Sequence, residues 1–580
     1  MDSIRKGIAA VLLLCAVAAF AGQSAPQLEP KWADAVERAR ALRTIEANRF
    51  SQMRVLMLQR GVQPKQSLDQ EHVEFNLRID PQRRAIQGTV SIQFTPTASI
   101  STLKLRLRKG LTVSATELDQ RSIPLERKGS DLIFRLNPAL TTGSRHTITV
   151  TYNGTPRGTA GISGGMFYGT HMGTPSATTL SEPFGSYNWW PCIDDLSDKF
   201  TADISLTVPP EMLGASNGRL VDISNGSDQW TTYHWRESYP IANYLISANV
   251  TNYVSFSASY RSRDRKRIMP IRYYVYQEDL QQAMVNFQHV PQMIRVFAKL
   301  VGEYPFVKEK YGMVAFPWGG GMEHQTLTSI ADGAAGMTGN YDFLFAHELA
   351  HQWFGDDVTC ATWNDIWLNE GFATYFEILW GVRDSGESEG LFMSEFYDDG
   401  LYAGALKGSV HLSSGSSPFS DTGAVYDKGA WVLHMLKYVM GPKRFFRAIR
   451  NYRASHSYAN ASTADLMAAC EAVYGKSLSW FFDEWVYTPK RPIYRVSFGQ
   501  TGNSLNVTVR QIQSHRIVNR ADGANVYIMP LQITAHLNDG SSRSFTVWND
   551  QREQTFSLEV PKTATSVGLD ENHEILKVLQ

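Results

Sequence analysis

His347-Glu348-Leu349-Ala350-His351 is an HExxH run, and the apolar residues Phe343, Leu344, Leu349 and Ala350 predict a helical setting for it. Histidines at i and i+4 lie on one helix face, so their imidazoles can converge on a single zinc ion. Glu348 sits beside that face, badly placed to join the same ion but able to reach a water next to it and act as a general base. A bare HExxH also occurs in helices that bind nothing, so a third ligand decides the reading. After eighteen intervening residues comes Glu370, within Trp367-Leu368-Asn369-Glu370-Gly371-Phe372-Ala373. Two histidines and one carboxylate leave the fourth tetrahedral position to water, which is the catalytic rather than the structural arrangement. A helix cap or an ion pair is the alternative for Glu370, and the apolar run around it weighs against both.

Outward from this run the hydrophobic period divides the chain. From Asp279 to Val301 apolar residues recur at helical spacing, and the pattern stays mainly helical through Trp485 apart from a strand-like stretch from Met313 to Phe316. Before it the period is two: Val73, Phe75, Leu77 and Ile79 alternate, as do Leu103, Leu105, Leu107 and then Ile148, Val150, Tyr152. Earlier still, Trp32, Val36, Ala39, Leu42, Ile45, Phe50, Met53 and Met57 predict an amphipathic helix stopped by Gly61 and Pro64. After Pro489 and Pro492 alternation returns in Tyr494, Val496, Phe498, in Leu531, Ile533, Ala535, Leu537, and in Phe556, Leu558, Val560. The expected fold class is multidomain α+β. The reading places a leader over 1–21, an N-terminal helix over 22–64, a β-rich domain over 65–255, a mainly helical zinc domain over 256–489 and a small β-sandwich over 490–580.

At 580 residues the chain exceeds what one hydrophobic core serves, consistent with that plan. Its 56 basic and 56 acidic residues leave no net charge and no block of like charge, which argues against nucleic acid or an anionic membrane as partner. Arg5 and Lys6 precede an apolar run from Ile8 to Phe20 that ends in Ala19-Phe20-Ala21, the pattern of a cleavable secretory signal. The run falls short of the roughly 20 residues a spanning helix needs, so no stable membrane anchor is expected after cleavage and the mature chain is expected to be periplasmic or secreted. Cys15 follows Leu14 rather than the small residue usual at a lipid attachment site. Cys192, Cys360 and Cys470 remain after cleavage, with no CxxC pair; one disulfide with a spare thiol and three buried thiols are both open.

HELAHQWFGD, the eighteen-residue gap and WLNEGFATYFE together resemble the M1 family of zinc aminopeptidases, a branch of the gluzincins. Gly320-Gly321-Met322-Glu323-His324 resembles that family's GxMEN exopeptidase signature. Tyr426-Asp427-Lys428-Gly429-Ala430 resembles the segment bearing its catalytic tyrosine, and the Ser181–Cys192 stretch, SEP…WWPC, looks like its N-terminal domain. The resemblance implies a thermolysin-like catalytic domain and one zinc ion per chain, held by His347, His351 and Glu370. It also implies Glu348 as base, Tyr426 as oxyanion partner and peptides as substrates. Glu323 would pair with the substrate's free ammonium, helped by Glu182, with Gly320, Gly321, Met322 and His324 forming the rest of the substrate contact.

Two positions depart from the family pattern. Leu180 stands where a Gln is usual, removing one amine or carbonyl contact. His324 replaces Asn, and its charge change near pH ~6.5 is expected to make substrate binding pH-sensitive. Asn369, Asp356 and Asp357 are candidates to hydrogen-bond the ligand histidines, with capping or surface roles equally open. Many family members carry a large helical C-terminal domain, and the roughly ninety residues after Pro489 are too few for one, which implies a more open site or closure by a partner subunit. Competing readings are an epoxide hydrolase, known in one branch of the family, a zinc-binding pseudoenzyme that presents peptides, and an endopeptidase, which Glu323 disfavours. Nothing in the sequence specifies an oligomeric state.

Overall fold

Alternation over Val73, Phe75, Leu77 and Ile79 puts these four side chains on one buried face of strand β1 (Leu68–Asp80). β1 lies inside an eight-stranded sheet, antiparallel to Ala85–Pro96 on one side and parallel to β2 (Phe200–Val208) on the other, with Phe75 opposite Ile204. A four-stranded sheet and a three-stranded sheet complete this β-rich region. The aromatic cluster of the Ser181–Cys192 stretch fills its core: Trp190 meets Phe75 edge-on at 4.9 Å and Phe200 at 6.2 Å. The computed structural model describes residues 28–38, 41, 66–156, 158, 164–396, 408–413, 421, 423–518 and 525–580. The leader expected over 1–21, and most of the helix expected over 22–64, lie outside them. Among the described residues no helix is long and apolar enough to cross a membrane.

Sheet membership changes after Thr251. The next sheet has the order β3-β4-β5-β7-β6, built from β3 (Val254–Arg261), β4 (Ile268–Val275), β5 (Tyr311–Phe316), β6 (Gly321–Met322) and β7 (Thr328–Ala331). β4, β5 and β7 run parallel, while edge strand β6 runs antiparallel to β7 with Met322 opposite Ser329. Only β5 was visible in the sequence pattern. β6 and β7 are two and four residues long and wholly buried, too short and too uniform to alternate.

The helices of this region that frame the site are α1 (Val290–Val301), α2 (Asp342–Ala350), α3 (Trp367–Ser385), α4 (Glu389–Phe396) and α5 (Gly429–Met440). A π-helical turn, Gly423–Lys428, leads into α5. α3 packs between α2 and α5, and the backbones of α3 and α5 touch at a glycine pair. A Cβ placed on Gly371 would fall 3.0 Å from the Gly429 Cα and carbonyl carbon, and one on Gly429 would fall 2.9 Å from the Gly371 Cα.

Residues 30–38 form a helical turn of the N-terminal segment whose buried Trp32 packs edge-on against Phe343 of α2 at 5.5 Å and Phe392 of α4 at 5.9 Å. The chain closes in two small sheets spanning Ile493 to Leu579, with Val507, Leu531, Ile533 and Leu569 among the side chains buried in them. Cys192, Cys360 and Cys470 are free and buried, which selects the thiol alternative.

The glycine pair yields a direct expectation. Gly371→Ala forces a methyl against backbone that cannot yield like a flexible side chain, an overpacking cost of about 1–3 kcal/mol. Thermal unfolding should show a lowered midpoint for this variant, and an unchanged midpoint would mean that the helices separate freely.

Candidate active site

His347 and Glu348 lie on α2, His351 caps its C-terminal end, and Glu370 stands in the first turn of α3. The packing of α3 on α2 brings one oxygen, Glu370 Oε2, to 3.3 Å from His347 Nε2 and 3.4 Å from His351 Nε2. Two donors each ~2.0–2.1 Å from a tetrahedral zinc lie ~3.3–3.4 Å apart, so both spacings suit that ion, and the three buried groups lie within 4.8 Å of one another. The other ring nitrogens are already committed. His347 Nδ1 meets Glu377 Oε1 at 2.6 Å and His351 Nδ1 donates to the Phe354 carbonyl at 3.1 Å. Each contact leaves Nε2 as the ring atom that a metal would take. Burial alone would raise the Glu370 pKa and lower that of His347. Instead His351 and His347 hold Glu370 down to about 2, while Glu370 and Glu377 raise His347 well above its usual range.

Around this trio the remaining expected residues converge. Glu323 opens the turn after β6, and carboxylate oxygens of Glu182, Glu323 and Glu370 lie within 4.8 Å of one another, all buried. Glu348 and His351 form a second such group with Glu323. The backbone of Gly321 lies against Glu348 so closely that a Cβ there would fall 2.2 Å from Oε1. Gly320, at φ +117, and Met322, buried on β6, carry the chain past that carboxylate. Tyr426 sits on the π-helical turn, its ring parallel to His347 at 5.8 Å between centroids. π-turns are rare and concentrate at functional sites.

Two expectations need correction. His324 is fully buried, with Nδ1 2.9 Å from Ser329 Oγ, and burial lowers its pKa to about 3. It therefore stays neutral where the sequence reading expected a switch. Asn369, Asp356 and Asp357 do not hold the ligand histidines: Asn369 accepts from Cys360 N, and Asp357 binds Arg453, Ser457 and Tyr458. Both Asp356 carboxyl oxygens are buried with no hydrogen-bond partner among the described residues. The histidine partners are Glu377 and the Phe354 carbonyl. Glu377 was findable, because it lies seven residues after Glu370 and so shares its helix face. Tyr244 was not, since nothing in its spacing sets it apart; its hydroxyl donates to Glu323 Oε1 at 3.3 Å. Leu180 is buried in the core and brings no polar group to the cluster.

Residues 69–245 match the peptidase M1 N-terminal domain and residues 285–485 match the peptidase family M1 domain. The chain belongs to peptidase family M1. It is similar to aminopeptidase A of Gloydius brevicauda, 28% identical over 412 residues covering 66% of this chain and 41% of that protein. It is similar also to aminopeptidase M1-C of Oryza sativa subsp. japonica, 28% identical over 387 residues, 63% of this chain and 42% of that one. The M1 chain thus spans about two fifths of the length of the curated relatives it matches. Among solved structures it shares the fold of an M1 zinc metallopeptidase from Deinococcus radiodurans, with TM-score 0.65 and 24% identity over 74% of this chain and 95% of that one. A point mutant of the Deinococcus radiodurans M1 zinc metallopeptidase, bound to a Tyr-Ser-Ala substrate, gives TM-score 0.66, at 24% identity over 73% of this chain and 95% of that one.

Two measurements test this description. Glu377→Gln leaves a neutral partner on His347 and should weaken zinc binding by about 10–100-fold in a competition titration, the usual cost of losing a ligand-orienting carboxylate. Unchanged affinity would show that Glu377 does not orient the ring. For His324 the unfolded chain binds a proton near 6.5 and the folded chain only near 3, so acid in that window favours unfolding. His324→Asn should flatten the fall of stability between these pH values, and identical slopes for both proteins would contradict a neutral buried imidazole.

Proposed function

We propose that this M1 chain is a zinc-dependent aminopeptidase, removing single residues from the free N-termini of peptides with one zinc ion per chain. The convergence of Glu182, Glu323 and Glu370 carries the reading. Like charges buried this close require cations, since an unpaired buried carboxylate is costly or loses its charge. Glu370 is matched to the metal, which leaves Glu323 and Glu182 to receive an ammonium group. The N-terminus of a peptide whose first carbonyl reaches the zinc ligands supplies one.

When bound, the ion supplies Lewis acidity toward water and the scissile carbonyl. Glu348 takes the proton of the attacking water and returns it to the departing amine. Tyr426 offers its hydroxyl to the oxyanion that forms on the substrate carbonyl, and Glu323 holds the amine one residue away. The basic-then-apolar start of the chain, Arg5 and Lys6 before Ile8 to Phe20, supports action outside the cytoplasm.

Substitutions separate these roles. Glu348→Gln should keep zinc and lose nearly all turnover, whereas loss of the metal would mean a wrong role. Tyr426→Phe should lower kcat by about 10²-fold with zinc content unchanged, as for removal of one oxyanion donor. Glu323→Ala should lose at least about 30-fold in kcat/KM on free-amine peptides, the lower range for truncating one partner of a desolvated ion pair, and far less on N-acetylated ones. Equal losses on the two substrates would make Glu323 structural and remove the main support for an aminopeptidase.

A further inference from the structure

The turn from Glu323 to Leu327 joins β6 to β7 and is buried along its whole length, so its backbone polar groups need partners. One bond is local, from Leu327 N to the His324 carbonyl at 2.9 Å. Side chains from other elements supply further bonds. Gln352, the residue after ligand His351, spans the turn: its Oε1 accepts from Thr326 N at 2.9 Å and its Nε2 donates to the Glu323 carbonyl at 3.4 Å. Tyr304 donates its hydroxyl to the same Oε1 at 3.1 Å. Lys310 Nζ donates to the Thr326 carbonyl at 2.8 Å, and Asn217 Nδ2 donates to the Gln325 carbonyl at 2.7 Å.

Thr326 has φ +62, left-handed backbone that a β-branched residue seldom adopts. Such a conformation persists only where the surroundings over-determine it. Here they do: the Thr326 hydroxyl accepts from Gly218 N at 2.7 Å and lies 3.0 Å from Glu237 Oε2. Asn217, Gly218 and Glu237 belong to the β-rich N-terminal region, whereas Gln352 lies in the turn directly after the helix that carries the histidines. The turn is therefore gripped from both sides.

We propose that Gln352 and Thr326 are positioning residues, which hold Glu323 at a set distance from the zinc ligands, with Asn217, Gly218 and Glu237 joining the N-terminal region to that setting. The inference rests on the reading of Glu323 as the group that receives the substrate amine. An exopeptidase measures one residue between that carboxylate and the metal, and a misplacement of ~1 Å can cost ~10²-fold in rate.

The test is a set of double-mutant cycles on a free-amine dipeptide, with zinc content and unfolding midpoint measured for every variant. Gln352→Leu and Asn217→Ala should each lower kcat/KM at least about tenfold with zinc retained, yet cost less than about twofold once Glu323 is already Ala, because coupled sites are not additive. Thr326→Val should behave like them, and Thr326→Ser, which keeps the hydroxyl, should restore activity. Asn217→Ala lies away from the zinc helix and carries the test if Gln352→Leu fails to fold. Equal costs with and without Glu323 would overturn the proposal, assigning these side chains to folding or to the zinc helix itself. If Glu323→Ala alone leaves the free-amine reaction intact, the aminopeptidase reading fails and the positioning role falls with it.

Discussion

Mutual repulsion among buried carboxylates is the constraint on which this molecule turns. Glu182, Glu323, Glu348 and Glu370 all sit at the meeting of two domains where water cannot screen them. A cluster of this kind is a poor device for stability and a good one for selecting cations. Two imidazoles answer part of the charge. On the proposed function, the remainder is an electrostatic demand that a metal and a protonated amine would meet together, tying recognition of the substrate to the chemistry performed on it.

The scaffold holds that charge in place by close backbone approach rather than by bulk. Gly371 against Gly429 lets α3 and α5 touch, so that Glu370 and the turn bearing Tyr426 share one wall. Gly321 does the same for Glu348 at the edge of the sheet. Because the Gly371–Gly429 contact is between main chains, rotamer changes cannot relax it, whereas at Gly321 the missing Cβ leaves room for the Glu348 side chain.

Much of this could be read before the fold was known, and the division follows physical range. His347, His351 and Glu370 announce themselves because metal ligands on helices obey fixed spacings, and Val73 to Ile79 because alternation over a long strand is a strong signal. Strands β6 and β7 were invisible: a two-residue strand has no period. His324 was misread because its neighbours in the chain say nothing about burial, which alone moves its pKa. Tyr244, Gln352 and Thr326 enter through contacts made across tens to more than a hundred residues, a range at which spacing carries no information. Glu377 lies on the same helix as Glu370, two turns on, where helical spacing alone puts it on the same face.

The packing of Trp32 between α2 and α4 has a consequence for how the chain assembles. Its contact with Phe392 links positions 360 apart in sequence. Long-range contacts of this kind are entropically slow to close and cannot form until most of the polypeptide exists. Trp32 precedes both partners in the chain, so its indole cannot reach this packing until Phe343 and Phe392 have been made. Until that contact closes, the indole is an apolar surface without its native cover, the kind on which chaperones, proteases and aggregation act.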